Sequence, residues 1–314
     1  MKKYWITFTI LFISLIGNVF FVNRMLRNSS NPQNVQNSAL QNPFLSPRIF
    51  ATNQNDILIN FVDLRSKLQK YAASTKDSVA VYFEYLPSGV SIGVNDRNAY
   101  VLVSLLKTPV VMAVYKKVEG GKINLSDSLT IQQEDLDNKF GKLWQKGAGT
   151  QITVKQAILL TLADSDNTAK NALGHLVSND DILDVFNSLD IPQEVDGTTP
   201  VVSPKNYSSV LRCLYLSCYL TKQYSNLLLD DMTKSNFDDK IAKPIPNDIP
   251  VAHKIGVHDL GNGDTPVFSD CGIIYLPHRP YILCIMTKTT DDKAKEYMQN
   301  ISKLIYDYVK KANE

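Results

Sequence analysis

The spacing of apolar residues changes along the chain, and each change predicts a different element. From Trp5 to Val22 the residues are almost continuously apolar, just long enough for a helix that crosses a bilayer. From Asp56 to Ala73 apolar residues recur close to helical spacing and predict an amphipathic helix. Ser78 to Tyr85 and Val90 to Asn95 alternate around a Leu-Pro-Ser-Gly turn, which predicts a β-hairpin.

The middle of the chain has helical patterns, and its end returns to strands. Helices are predicted at Ser104 to Tyr115, Thr153 to Ala163, Asp180 to Leu189, Ser203 to Thr221 and Asp291 to Lys310. Strands are predicted at Ala252 to Val257, Val267 to Leu276 and Tyr281 to Lys288. Strands at both ends with helices between them predict an α+β fold. An antiparallel sheet would be flanked by the N- and C-terminal helices, beside an all-α lobe that spans about residues 104–240.

Length and charge narrow the class of protein. The 314 residues, of which 44% are hydrophobic and 20% charged, suffice for a globular domain with a large core. The net charge of +2 is small and no basic stripe accompanies it, so nucleic acid is not an expected partner. The four histidines show no metal-ligand spacing, and neither a metal nor another cofactor is expected.

The four cysteines do not form the pattern of a disulfide-rich domain. Cys213 and Cys218 lie five positions apart in a predicted helix, where the geometry for a bridge is poor. Cys271 and Cys284 flank a predicted hairpin turn and could be cross-strand neighbours. Buried free thiols are nevertheless the expected state of all four.

The apolar segment at the start predicts export. Lys2 and Lys3 precede it and no small-x-small cleavage site follows it. Residues 1–23 are therefore expected to be an uncleaved signal-anchor with the lysines inside, and a cleaved signal peptide is the alternative. Residues 24–55 are rich in Asn, Gln, Ser and Pro and predict a flexible linker. Residues 56–314 would then form the exported globular domain.

A serine and a lysine stand three positions apart at the head of a predicted helix. On a helix, Ser104 and Lys107 lie on one face about one turn apart. A serine hydroxyl is a weak nucleophile unless an adjacent group takes its proton, and a lysine with a lowered pKa can do so. The pair is a candidate nucleophile and base. A capped amphipathic helix is the alternative, because Ser-x-x-Lys also arises by chance.

Two further motifs follow in order, Ser165-Asp166-Asn167 and Lys254-Ile255-Gly256. Together with Ser104 and Lys107, they resemble the S-x-x-K, S-D-N and K-T-G set of the class A β-lactamases and penicillin-binding proteins. The resemblance extends from Asp56 nearly to the C-terminus. It implies a β-lactamase/transpeptidase-like fold with a cleft between the sheet and the α lobe.

The resemblance implies a role for each matching residue. Ser104 would attack a carbonyl carbon, and Lys107 would be its base. Ser165 would relay a proton toward the departing nitrogen, and Lys254 would hold that region positive. Asn167 would bind the amide side chain of the substrate.

Two further expectations concern the walls of the cleft. The backbone N–H groups of Ser104 and of Val257, which follows Gly256, would form the oxyanion hole. Trp144 is a candidate aromatic wall of the substrate site, with an ordinary core or surface position as the alternative.

The chain departs from the class A pattern in two places. The segment Asn187 to Gly197 is short and lacks the Glu-x-x-Leu-Asn stretch whose Glu activates the deacylating water in that family. Glu194 is the candidate substitute base, with a solvated loop acid as the alternative. Ile255 stands where the family has a hydroxyl residue that helps to bind the substrate carboxylate.

The sequence therefore predicts a monomeric serine acyl-transfer enzyme, anchored by one span in the bacterial cell membrane with its catalytic domain outside the cytoplasm. The first hypothesis is a hydrolase that opens β-lactam rings through Ser104. The second is a penicillin-binding carboxypeptidase or transpeptidase that acts on D-Ala-D-Ala peptides and deacylates slowly. The third is a non-catalytic cell-wall binding or sensing module.

Overall fold

In a computed structural model of the protein, the described residues are 42–47, 59–197, 199–259 and 264–311. The predicted signal-anchor and most of the predicted linker lie outside them. Within these ranges, no helix combines the length and apolar character needed to span a bilayer. The elements below belong to one compact unit, formed by Phe44–Ser46 and Phe50–Glu314.

The described residues form alternating helices and strands whose order matches the predicted α+β pattern. The helices are α1 (Val62–Ser74), α2 (Lys107–Glu119), α3 (Val154–Ala163), α4 (Asn167–Gly174), α5 (Asn179–Ser188), α6 (Pro204–Leu216), α7 (Lys222–Met232) and α8 (Asp291–Lys311). The strands are β1 (Ser78–Tyr85), β2 (Val90–Val94), β3 (Tyr100–Val101), β4 (Ser128–Thr130), β5 (Gln151–Thr153), β6 (Glu194–Asp196), β7 (Thr199–Val202), β8 (Val251–His258), β9 (Val267–Ile274) and β10 (Tyr281–Lys288).

The main sheet is built from both ends of the domain, as predicted. Its strands lie in the order β2-β1-β10-β9-β8, and every neighbouring pair is antiparallel. Two smaller sheets, β3-β7-β6 and β4-β5, lie within the sequence between these strands. The hairpin of β1 and β2 and the strand β10 have the predicted bounds to within one residue.

Both faces of the main sheet pack against helices. Successive residues of a strand point to opposite sides of the sheet, so one strand contributes side chains to two cores. Cys284 and Met286 of β10 belong to the core shared with the helices of the middle segment. Leu283 and Ile285 belong to a second core, shared with α1 and α8. Seven of the eight residues of β10 are buried, which explains why this strand reads as an apolar run.

Side-chain caps begin three of the predicted helices, one of them a residue earlier than the predicted Asp180. Thr153, Ser178 and Ser203 each accept a hydrogen bond from the backbone N–H three residues later. The helices α4 and α7 and the sheet β3-β7-β6 were not predicted. Several of these elements are too short for periodicity to separate them from loop.

The expectation of free thiols is wrong for all four cysteines. Cys213 and Cys218 form a disulfide because α6 ends between them and Ser217 adopts φ 53°, which turns the chain back to a Cα–Cα distance of 5.0 Å. Cys271 and Cys284 form a second disulfide between directly opposed positions of β9 and β10. Turn geometry and strand register, neither of which spacing alone defines, decide both pairings.

Part of the predicted linker packs on the domain. The Phe44 ring lies edge-on to Tyr275, with 5.1 Å between ring centroids. The Phe44 N–H donates to Asn226 Oδ1 at 3.2 Å, and the Tyr275 hydroxyl donates to the Phe44 carbonyl at 2.9 Å. The Ser46 N–H donates to the carbonyl of Tyr215 at 2.8 Å. Residues 44–46 are therefore held by both the sheet and the helical lobe.

Candidate active site

The predicted nucleophile lies in a 3₁₀ turn, Val103–Leu106, that joins β3 to α2 and is called the nucleophile turn below. Val103 has φ 36°, which is rare for a β-branched residue and occurs where the surrounding structure holds the backbone in place. Lys107 is the first residue of α2. The predicted helix from Ser104 is thus confirmed, except that its first turn is 3₁₀.

Lys107 is the centre of a cluster of polar atoms. It is 3% exposed, and its Nζ lies 3.2 Å from Ser104 Oγ. The same nitrogen lies 2.5 Å from the Ser165 carbonyl, 3.1 Å from Ser165 Oγ and 2.6 Å from Asn167 Oδ1. Because this nitrogen has acceptors on several sides, it is held within reach of the Ser104 hydroxyl.

Burial controls the charge of Lys107. Desolvation, followed by the positive charge of Lys170, lowers the pKa of Lys107 to about 7, against the opposing effects of Asp166 and Asp137. A large fraction of Lys107 is therefore neutral near pH 7. A neutral amine at 3.2 Å can accept the proton of Ser104, which is the chemistry that the Ser-x-x-Lys spacing predicts.

Ser165 links the two lysines of the cleft. It is 1% exposed and adopts φ 52° in the connection between α3 and α4. Its Oγ accepts hydrogen bonds from Lys107 Nζ at 3.1 Å and from Lys254 Nζ at 2.8 Å. Since both neighbours donate, the hydroxyl hydrogen of Ser165 is available to a group in the cleft.

Asp166 holds this connection in place. Its side chain caps α4 by accepting from the Ala169 N–H at 2.8 Å, and its second oxygen accepts from the N–H groups of Lys142 and Leu143, both at 2.9 Å. Gly141 has φ 85°, and a Cβ there would lie 2.0 Å from this carboxylate. A side chain at position 141 would therefore displace Asp166.

Lys254 lies in the interior of the protein. It is 1% exposed although β8 is the last strand of the main sheet, so it is not a solvated charge at the sheet edge. Burial, together with the charge of Lys107, holds the pKa of Lys254 well below the usual lysine value. Its Nζ lies over the ring of Phe237, 5.9 Å from the centroid. Lys254 and Ile255 point to opposite faces of β8, so the buried Ile255 side chain faces away from Lys254.

The strand β8 lies against the nucleophile turn. A Cβ at Gly256 would be 3.4 Å from side-chain atoms of both Leu105 and Val103. A Cβ at this position would be in ordinary van der Waals contact with the turn, so the backbone of β8 lies directly against the turn that carries Ser104.

The register of the sheet orients the Val257 backbone. Cys271 and Cys284 have Cα atoms 3.9 Å apart, which is nearer to the spacing of about 4.5 Å in a pair that is not hydrogen-bonded than to the spacing of about 5.5 Å in a hydrogen-bonded pair. Hydrogen bonds alternate sides along a strand, so Cys271 pairs through hydrogen bonds with Lys254. Val257, three residues after Lys254, then points its N–H away from β9. That direction is the outer edge of the sheet among the described residues, where the nucleophile turn lies.

Two charged residues of the cluster were missed by sequence reasoning. Asp137 accepts a hydrogen bond from Asn167 Nδ2 at 3.0 Å. Lys170 lies one turn after Asn167 on α4 and lowers the pKa of Lys107 by its charge. Helical spacing from Asn167 could have identified Lys170. No local signal marks Asp137, because it reaches the site from a loop 30 positions earlier.

The other two candidate residues, Trp144 and Glu194, are not buried. Trp144 is partly exposed in a 3₁₀ turn, Leu143–Lys146, whose first residue donates its N–H to Asp166. Glu194 is exposed on β6, opposite Val201 of β7. Among the hydrogen bonds of the described residues, none joins Glu194 to Ser104 or Lys107.

The fold and the Ser–Lys cluster define the class of the protein as a serine hydrolase. The chain belongs to the β-lactamase enzyme family, whose model matches residues 63–309. The β-lactamase VEB-1 of Pseudomonas aeruginosa is 20% identical over 250 residues, which are 69% of this chain and 81% of that protein.

Solved structures with a similarly low sequence identity share the fold of this chain. The extended-spectrum β-lactamase TLA-3 has a TM-score of 0.74 at 20% identity, over 80% of this chain and 99% of that one. A mutant of PBP-A, in an acyl-enzyme complex with penicillin G, has a TM-score of 0.71 at 22% identity, over 79% of this chain and 97% of that one.

Proposed function

We propose that this protein is a serine acyl-enzyme hydrolase of the class A type that opens β-lactam rings through Ser104. The observation that carries the proposal is the position of Lys107 Nζ, which lies within hydrogen-bond distance of both Ser104 Oγ and Ser165 Oγ. A single buried amine can thus take a proton from the nucleophile and return it to the leaving group through the second serine.

Acylation would proceed in two linked steps. Ser104 Oγ attacks the lactam carbonyl carbon as its proton passes to Lys107 Nζ. The resulting oxyanion accepts hydrogen bonds from the backbone N–H groups of Ser104 and Val257. The C–N bond then breaks, and the lactam nitrogen takes the proton of Ser165. Lys107 returns a proton to Ser165, which leaves an ester on Ser104 and a neutral Lys107.

Recognition of the substrate would use the same cluster. Lys254 donates a hydrogen bond to Ser165 Oγ at 2.8 Å, and in its protonated form it would favour a substrate carboxylate nearby. Asn167 Oδ1 accepts a hydrogen bond from Lys107 Nζ, and the amide nitrogen of Asn167 would donate one to the substrate's side-chain carbonyl. Gly256 and Val257 would line the opposite edge of the cleft, with Trp144 as a candidate aromatic wall.

Release of the acyl group favours a second candidate function. In the described part of the chain, no carboxylate is hydrogen-bonded to Ser104 or Lys107, and the candidate base Glu194 is exposed on β6. Without a base for water, the ester would persist. This behaviour is expected of a penicillin-binding carboxypeptidase or transpeptidase that acts on D-Ala-D-Ala peptides.

The proposal includes the cellular setting. An anchor at residues 1–23 would hold a monomeric catalytic domain outside the cytoplasm at the bacterial cell membrane. The support is the sequence pattern alone, since this segment lies outside the described residues. Protease added to intact cells should degrade the domain while membrane fractionation retains residues 1–23, and recovery of the domain from the cytoplasm would contradict this setting.

The functional test mixes the full-length protein in detergent with a chromogenic cephalosporin and follows both product release and intact mass. Repeated turnover with no lasting adduct is the expected result for a β-lactamase. One burst that leaves an adduct on Ser104 supports the peptidase instead. The matched control Ser104→Ala should show neither. Absence of both burst and adduct in the unaltered protein would contradict an acyl-enzyme and favour a binding module.

A further inference from the structure

A carboxylate lies beside the amide that would bind the substrate. Asp137 Oδ1 accepts the hydrogen bond from Asn167 Nδ2, and it also accepts the Lys139 N–H at 2.8 Å. Asn167 is in turn bonded to Lys107 through its other amide atom. Asp137 is therefore two hydrogen bonds away from the proposed base.

The fold holds Asp137 at this position. Its backbone N–H donates to Thr168 Oγ1 at 3.0 Å, and its carbonyl accepts from the same hydroxyl at 3.3 Å. Thr168 is 0% exposed and lies next to Asn167 in the first turn of α4. Because one buried hydroxyl binds both backbone groups, the loop of Asp137 is fixed relative to the helix that carries Asn167.

One oxygen of Asp137 remains available. Both hydrogen bonds to the side chain end on Oδ1, and Oδ2 accepts none from the described residues. No Lys, Arg or His of those residues forms an ion pair with it, and the side chain is partly exposed. The pKa of Asp137 is lowered: desolvation opposes this, but the hydrogen bonds from Asn167 and Lys139, together with the charges of Lys139 and Lys107, prevail. The carboxylate is therefore ionised at neutral pH.

The Asn167 amide nitrogen has two hydrogens, and Asp137 binds one of them. The second can reach the carbonyl of a substrate's amide side chain. A substituent on the carbon next to that carbonyl would then lie close to Asp137 Oδ2. A cation at that place would complete an ion pair, whereas an apolar group would leave the carboxylate to solvent.

We propose that Asp137 is a specificity residue that selects acyl substrates, β-lactam or peptide, bearing an ammonium group on the carbon next to the amide carbonyl. This inference rests on the proposed function. A positioning role alone, in which Asp137 only orients the Asn167 amide, is the competing explanation, and the two differ in their dependence on charge.

The test compares benzylpenicillin with ampicillin, which carries an α-ammonium group where benzylpenicillin has hydrogen. The second-order rate constant for acylation is measured for each on the full-length protein, as kcat/KM of ring opening if the ester turns over, or as the rate of adduct formation by intact mass if it persists. In the unaltered protein we expect ampicillin to react about fivefold faster, the size of effect expected for a partly exposed ion pair. Asp137→Asn keeps an oxygen for Asn167 and Lys139 but removes the charge, so the ratio of the two rate constants should fall to about one; the accompanying change in the pKa of Lys107 affects both penicillins alike and leaves the ratio unaffected.

Two variants serve as controls. Glu134→Gln removes a negative charge from the 3₁₀ turn just before Asp137, at an exposed residue with no hydrogen bond to the cluster among the described residues, and should leave the preference unchanged. Asp137→Glu retains the charge and should retain part of the preference. An equal rate ratio in Asp137→Asn and the unaltered protein would overturn the inference while leaving the proposed function intact. If neither penicillin labelled Ser104 and neither was hydrolysed, both the inference and the proposed function would be overturned.

Discussion

At the scale of single residues, the chemistry depends on lysines that the fold keeps away from water. Lys107 and Lys254 are almost fully buried and share the hydroxyl of Ser165, so each positive charge disfavours the other. Lys170 adds a third cation, whose own pKa is lowered by burial. Opposing them, Asp166 and Asp137 stabilise the charged form of Lys107. Lys107 therefore titrates where a general base is most effective, near pH 7.

This balance predicts the pH dependence of acylation. At pH values below the Lys107 pKa of about 7, Lys107 keeps its proton and cannot accept the one from Ser104. The acylation rate should therefore decrease as the pH is lowered. Lys170→Met removes a cation that lowers the pKa of Lys107, so the midpoint should move to higher pH. At pH 6, the variant should acylate about threefold more slowly than the unaltered protein.

The measurement is the second-order rate constant for acylation by benzylpenicillin between pH 5 and pH 9, taken from kcat/KM of ring opening or, if the ester persists, from adduct formation. Lys170→Arg keeps the charge and is the matched control, with a midpoint expected to stay in place. If Lys170→Met and Lys170→Arg gave the same midpoint, the charge of Lys170 would have no role in the base strength of Lys107.

At the scale of elements, the approach of β8 to β9 sets the position of Lys254. A Cβ at Gly272 would lie 2.5 Å from His253 Cβ and 2.6 Å from the Ala252 carbonyl, closer than atoms can pack. The His253 ring also bonds to Asp270 of β9 at 2.8 Å, and both side chains are buried. Strand β8, which carries Lys254, can therefore pack this closely against β9 only because position 272 of β9 has no side chain.

Gly272→Ala should therefore force β8 away from β9 and lower the free energy of unfolding by about 1–3 kcal/mol. It should also slow acylation, because Lys254 moves with the strand. Gly174→Ala is the matched control, since a Cβ there meets no atom within 4 Å and alanine favours the helix. Urea unfolding checks both, and equal midpoints for the two variants would contradict the crowding at Gly272.

At the scale of the whole molecule, the sheet and the helical lobe meet at the Ser–Lys cluster and are also joined through residues 44–46. Residues 44–46 contact Tyr275 after β9, Tyr215 near the end of α6 and Asn226 on α7. A segment that the composition predicts as linker therefore contributes to the packing of both parts of the domain.

Phe44→Ala removes the ring from Tyr275 and should lower the free energy of unfolding by about 1–2 kcal/mol. Val62→Ala truncates an apolar side chain that is 72% exposed, and it should change stability by less than about 0.5 kcal/mol. Urea unfolding of the full-length protein compares the two. Indistinguishable midpoints would mean that residues 44–46 add nothing to stability.

The spacing of apolar residues was sufficient to predict the larger elements, because each strand and each long helix has one or two buried faces that recur along the chain. The strands β1, β2 and β10 and the helix α8 match their predicted bounds closely for this reason. Ser104, Lys107, Ser165, Asn167 and Lys254 were likewise identified by motif, and the structure brings them into one cluster.

Only the tertiary structure decided what distant parts of the chain do to one another. The disulfides depend on a turn at Ser217 and on the register between β9 and β10, and periodicity defines neither. Asp137 joins Asn167 across 30 positions through a loop without a recognisable pattern. The pKa of Lys107 depends on burial and on charges from other elements. Local sequence records which face of an element is buried, whereas register, desolvation and long-range charge arise only when those faces meet.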